Sequence, residues 1–306
     1  MSAKTTVWSG TSGDWSVSGN WTNGVPDADD HVYFENNAQS VTSGFPSGTV
    51  NLGSLNIDQS YTGSLASAAT GPLNLGIAEL NIGYHNGPGT PTGSPSIYLN
   101  LGSAIACTIT VSNTGTSTDT ARAPVRLYGS NAGNTLTVKK GKVEFGTNIT
   151  DTTSVLSKLT VSYDTKVSTD ADVFIGSGTT LATLDMYGGD VFIEMKDTSP
   201  IGTADIRAGT LHTSGAGDIT NLNVHGGTVY CSHSDPTDDA TSSVGTLNVY
   251  GGSGVVDFTK SSVSREVDHL NLDPGGVIKY NDSVITVNST QINPYTSGIN
   301  VTYTAS

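Results

Sequence analysis

One short phrase returns through the second half of this chain, and its spacing limits the folds open to it. It runs Leu136-Thr137-Val138 before Gly141, Leu159-Thr160-Val161, Leu184-Asp185-Met186 before Gly188-Gly189, and Ala204-Asp205-Ile206 before Gly209. It continues as Leu222-Asn223-Val224, Leu247-Asn248-Val249 and Leu270-Asn271-Leu272, each followed by a glycine pair. Successive starts lie 23, 25, 20, 18, 25 and 23 residues apart. Alternation sets the apolar residues on one face and Asn, Asp or Thr on the other, which is the pattern of a half-buried strand. The glycines then supply backbone angles that turn the chain sharply. A second alternation follows, as in Val143-Glu144-Phe145 and Val191-Phe192-Ile193. One such unit cannot bury its own apolar face, whereas stacked units bury a continuous core.

The uneven period excludes leucine-rich and hexapeptide repeats, and a propeller blade needs about 40 residues. The predicted fold is therefore all-β, a right-handed parallel β-helix (solenoid) of about eleven coils, each adding roughly 4.8 Å. Leu136, Leu159, Leu184, Leu222, Leu247 and Leu270 are expected to stack in one inward column. Less regular copies begin at Leu55, Leu80, Leu99 and Ile109. A stacked-coil protein must cover the open end of its core and its unpaired strand edge. Residues 1–50 are read as that N-terminal cap, with Trp8, Trp15 and Trp21 as an apolar lid. Residues 51–280 form the β-helix. Residues 281–306 alternate without the glycine phrase and are read as a C-terminal cap or oligomerisation strands.

Charge narrows the partners. With 13 Lys and Arg against 27 Asp and Glu, the net charge is −14. Nucleic acid is excluded, because its binding depends on neutralising phosphates with cations. Lys139, Lys140 and Lys142, the one basic cluster, read as a solvated turn. No segment approaches the roughly 18 apolar residues that span a bilayer, so no membrane insertion is expected. The start, Met1-Ser2-Ala3-Lys4, opens no apolar signal region, so no signal peptide is expected and synthesis falls in a cytoplasm. Cys107 and Cys231 are too few for a disulfide framework and read as buried free thiols.

Enzymes with this fold cleave sugars with paired carboxylates across a groove. The candidates are Asp170 with Asp172, and Asp185 with Asp190 or Asp205. Asp185 and Asp205 share an outward slot with Asn56, Asn81, Asn100, Thr137, Thr160, Asn223, Asn248 and Asn271, which makes a polar ladder the favoured reading, and Arg207 is the only cation nearby. The acidic loops Asp27–Asp30 and Asp235–Asp239 offer oxygen ligands without the spacing of a calcium-binding loop. The histidines at 31, 85, 212, 225, 233 and 269 show no ligand spacing; His225 shares a slot with Tyr187 and Tyr250, which suggests surface stacking. The expectation is therefore no enzyme, with no catalytic, metal or cofactor-binding residues and no cofactor. One slot points elsewhere. In the second strand of three successive coils the outward position holds Phe192, His212 and Tyr230, while other coils place Glu144, Asp257 and Lys279 there. A contiguous apolar stripe on a polar surface marks a contact site, so these three residues are the candidate interface.

The opening, Trp8-Ser9-Gly10, Gly13-Asp14-Trp15, Gly19-Asn20-Trp21, Val25-Pro26 and Asp29-Asp30-His31-Val32-Tyr33-Phe34, is similar to the start of many bacterial and bacteriophage β-helical proteins. These include autotransporter-like passengers and phage virion surface proteins. Autotransporters normally carry a signal peptide and a membrane barrel, and the sequence displays neither. The resemblance therefore implies a non-enzymatic structural protein of a bacteriophage virion surface, a capsid decoration protein or short fibre made in the host cytoplasm. It implies a viral shell protein as partner, and a homo-oligomer, taken as a homotrimer by analogy with other phage β-helices. Two alternatives stay open: a carbohydrate-binding or carbohydrate-cleaving tailspike-like module with a surface glycan as partner, and a bacterial surface adhesin passenger.

Overall fold

A computed structural model describes residues 2–47, 50–67, 70–83, 97–114, 123–146, 153–162, 173–195, 200–215, 217–231, 242–259, 261, 265–280 and 285–292. Apart from one turn of 3₁₀ helix at Ser18–Asn20, every element described is a β-strand. Strands pair in parallel with the strand one coil later: Thr5–Val7, His31–Phe34, Val50–Ile57 and Leu73–Ile82 pair directly in one sheet, and from Leu73–Ile82 onward neighbours in sequence alternate between two sheets. The protein is an all-β parallel β-solenoid. Contacts group it into an N-terminal unit, Met1–Leu156 with Thr165–Val173, and a C-terminal unit, Ser157–Asp164 with Phe174–Ser306.

One coil of the C-terminal unit shows how the sequence is used. Strand Thr179–Met186 buries Thr179, Leu181, Leu184 and Met186, and between its halves Ala182 and Thr183 both face outward. Two consecutive outward residues break the alternation, so the strand carries two inward pairs where the phrase alone suggested one alternating run. At the same break Gly202 and Gly245 follow in later coils, where a Cβ would stand 2.5 Å from Ala182 O and 2.8 Å from Thr220 O in the preceding coil. The next turn needs glycine for a second reason. Gly209 has φ of 88°, and a Cβ there would lie 2.3 Å from Gly189 O. Chirality and close backbone approach both exclude a side chain.

Leu184, Ala204, Leu222, Leu247 and Leu270 are successive partners across this sheet. Leu159, Leu184, Leu222 and Leu247 are fully buried, and so is Leu136 in the N-terminal unit. Leu270 departs from the expected column in burial: it is only half-buried, and the next position in its column is Thr290, not another apolar residue.

In the N-terminal unit Thr6, Val32, Leu55, Leu80, Ile109 and Leu136 form the corresponding register. The sheet thus begins at Thr5–Val7, within the first fifty residues. Leu99 does not join it. Strand Ile97–Asn100 belongs to the other sheet, where Leu73, Leu99, Leu127 and Phe145 align. The Leu-Asn-Leu spelling is shared by both sheets and does not distinguish them. Trp8, Trp15 and Trp21 are buried. Trp21 meets Trp8 and Trp15 edge to face at 4.9 and 4.7 Å, and all three lie against Phe34. Trp21 Nε1 donates to Trp15 O and Trp8 Nε1 to Gln39 O. Their rings are therefore packed inside the fold and do not line an open groove.

Candidate contact surface

Pairing of strands Asp190–Met195, Thr210–Gly215 and Thr228–Cys231 sets Phe192, His212 and Tyr230 in one outward column. Their rings stack nearly parallel, Phe192 on His212 at 4.2 Å and 4° and His212 on Tyr230 at 4.9 Å and 19°. Phe174 extends the stack beneath Phe192 at 5.5 Å and 10°. It was missed by the sequence reading, although Val173-Phe174-Ile175 repeats Val191-Phe192-Ile193 residue for residue. Beyond Tyr230 the column continues with Asp257 and Lys279. Asp257 is buried, and its Oδ1 accepts from the Thr259 backbone N–H and hydroxyl.

Stacking along the pairing direction decides what this column can bind. The ring faces are spent on one another, and the apolar rims are what solvent meets. A sugar packs its C–H groups on an open ring face, the electron-rich side, and inside this stack no such face is free. Rims instead make a narrow apolar ridge. Phe192 is the most open, at 39% exposure, while Phe174, His212 and Tyr230 are half-buried. Asp190 and Glu194 sit two positions either side of Phe192 on its own strand. Burial pushes the His212 pKa below its usual value, with Asp190 opposing in part, so the ridge carries a neutral imidazole near neutral pH.

The matching column of the N-terminal unit is treated differently. Tyr98, Arg126 and Glu144 align there, and all three are buried, at 7%, 3% and 8% exposure. Arg126 Nε lies 3.4 Å from Glu144 Oε2, and its guanidinium covers the rings of Tyr98 and Tyr128. The Ala123 N–H donates to Glu144 Oε1 at 2.9 Å. Burial pushes the Tyr128 phenol up, aided by its contact with Tyr98.

Several of the remaining candidates among the described residues make contacts within the chain. Asp185 and Asp205 are direct partners across the sheet. Lys158 Nζ contacts Asp185 Oδ2 at 2.5 Å, Asn223 donates to Asp205, and Asn248 and Asn271 continue the ladder at 2.7 Å per step. The Lys158 amine is held protonated more strongly than usual by that contact. In the Asp27–Asp30 loop, Asp30 accepts from the N–H groups of Lys4 and Asp27 and pairs with Lys4 Nζ, so protein donors already occupy both of its oxygens. Asp170, Asp172, the Asp235–Asp239 loop, His85 and His233 lie outside the described residues. His225 stacks on Tyr250 at 4.1 Å and 2°, and Arg207 covers Tyr187 at 4.8 Å. Cys107 and Cys231 are buried and unbridged; burial pushes the Cys107 thiol up to about 12. Among the described residues no group of three or more potential ligands gathers for a metal, and no helix is long and apolar enough to cross a membrane.

No protein-family model matches this chain, and neither curated proteins nor solved structures give a match.

Proposed function

We propose that this protein is a non-enzymatic structural component of a bacteriophage virion surface, a decoration protein or short fibre, and that it docks through the ridge of Phe192, His212 and Tyr230. The observation that carries this reading is the stack itself: apolar rims in one line on a polar, acidic solenoid, with their faces already used. Aromatic residues are enriched in the cores of protein interfaces, and a contiguous exposed patch of them marks a contact site more often than plain surface. The virion assignment rests on the resemblance of the opening residues, and the partner it implies is a viral shell protein, alongside copies of this chain as a homotrimer.

Edge-on stacking weighs against the tailspike-like alternative at this site, and the engaged carboxylates of Asp185 and Asp205 weigh against glycan cleavage there. The test is the triple change Phe192→Ser, His212→Ser and Tyr230→Ser, followed by ultracentrifugation and by binding to the source particle. Loss of particle binding or of the oligomer by a folded variant is the expected outcome. A variant that keeps both overturns the proposal.

A further inference from the structure

Among the described residues Arg265 is the one fully buried arginine, at 0% exposure. It opens strand Arg265–Leu272, where Arg265 and Val267 occupy inward positions, paired with Ser242 and Ile285 on either side. Among the described residues none of its three guanidinium nitrogens has a hydrogen-bond partner. Cys231 and Asp218, the groups whose charge acts on it, do not answer the need. Burial pushes the Cys231 thiol up, so it stays protonated and brings no negative charge. Asp218 is exposed, and its Oδ1 accepts the Ser243 N–H at 2.7 Å. The ion pairs among the described residues include none to Arg265.

Arg126 shows how this chain completes a buried guanidinium: a carboxylate at 3.4 Å and two aromatic rings over its faces. Arg265 is more deeply buried and, among the described residues, has neither. A guanidinium cannot shed its proton to escape the problem. An uncompensated buried cation costs a large part of what holds a domain folded, and an unsatisfied buried group of this kind calls for an ion or water at its side.

We infer that the C-terminal unit binds a small monovalent anion, of chloride size, against the Arg265 guanidinium inside its core. One negative charge balances the single cation. The guanidinium edge presents parallel N–H donors that converge on one acceptor. Size follows from the surroundings: Cys231, whose thiol acts on the guanidinium, is fully buried, as are Val267 two positions along the strand and its partner Val244, and a close-packed interior spares room for at most an ion of one or two heavy atoms. The site is independent of the docking ridge, so either assignment can fail without the other.

The experiment uses the whole protein, dialysed into sodium gluconate and then exchanged stepwise into sodium chloride at constant ionic strength. The expected result is a midpoint of thermal unfolding that rises and saturates, by roughly 5 °C once chloride reaches about a hundredfold excess over its Kd. Arg265→Met, which fills the space without the charge, should unfold at a midpoint insensitive to the exchange. Crystals of the unaltered protein grown in sodium bromide should show an anomalous peak beside the guanidinium, a measurement that does not depend on the variant folding. A flat chloride titration with no bromide peak overturns the inference and assigns the counter-charge to a carboxylate of this chain.

Discussion

Both units place a column of large side chains on the outer face of their second sheet, yet they use it in opposite ways. In the N-terminal unit Tyr98, Arg126 and Glu144 are sealed, each at or below 8% exposure, and charge, ring and backbone donors satisfy one another. In the C-terminal unit Phe192, His212 and Tyr230 stack on one another with their rims in solvent, and Phe192 reaches 39% exposure. The same slot of the same fold can therefore be closed by the chain itself. Where it stays open and apolar, the surface is left for something else to cover. A buried ion pair needs all its partners at once, whereas a ring stack is stable half-covered and loses little by waiting.

The largest effect expected from this contrast is at Glu144. Glu144→Ala leaves the Arg126 guanidinium buried without its carboxylate and should cost about 3–5 kcal/mol, measured by urea unfolding. A double change, Arg126→Met with Glu144→Leu, should recover most of the loss; if the single change alone is neutral, the sealed column is not held by its charges. Core positions should not share the asymmetry. Leu80→Ala and Leu222→Ala, one in each unit, should each cost roughly 2–5 kcal/mol, and a large gap between them would move the difference from the outer face to the core.

At the open ridge the triple serine variant should lose only about 1–3 kcal/mol, since each stacked pair contributes on the order of 1 kcal/mol or less. Far-ultraviolet circular dichroism should remain unchanged while docking is lost. A collapse in stability comparable to Glu144→Ala would make the stack a structural element and erase the contrast. The smallest effect concerns pH. Burial lowers the His212 pKa in the folded state, so the unfolded chain takes up the proton more readily. The stability due to the neutral ring is complete above about pH 6.5, the usual imidazole value, and is lost as pH falls through the lower folded-state value. His212→Phe keeps the ring and should flatten that part of the melting profile between pH 7.5 and 5. An unchanged acid-side slope would assign the titration to another group.

Much of this architecture is legible in the sequence because the phrase that repeats is also the phrase that folds. Leu184, Leu222 and Leu247 fall in one register, and the Asn ladder above Asp205 follows from the same spacing. The break in alternation at Ala182 and Thr183 is not legible, because two outward residues in a polar run look like any loop. Leu99 spells the phrase yet lies in the other sheet, since both sheets share one alternation. The outer face was read in part: Phe192, His212 and Tyr230 came from the register, whereas Phe174 stood apart from any strong copy of the phrase. Arg126 and Arg265 gave no signal, because their burial depends on what covers them from distant sequence.

The ring stack has a further consequence, since each coil contributes one ring. The length of the ridge is counted rather than shaped. A lineage that duplicated or deleted a whole coil would lengthen or shorten its contact by one aromatic rim, about 4.8 Å, with every other rung unchanged. Reach and grip on a partner would then evolve in whole-number steps, like notches on a tally stick.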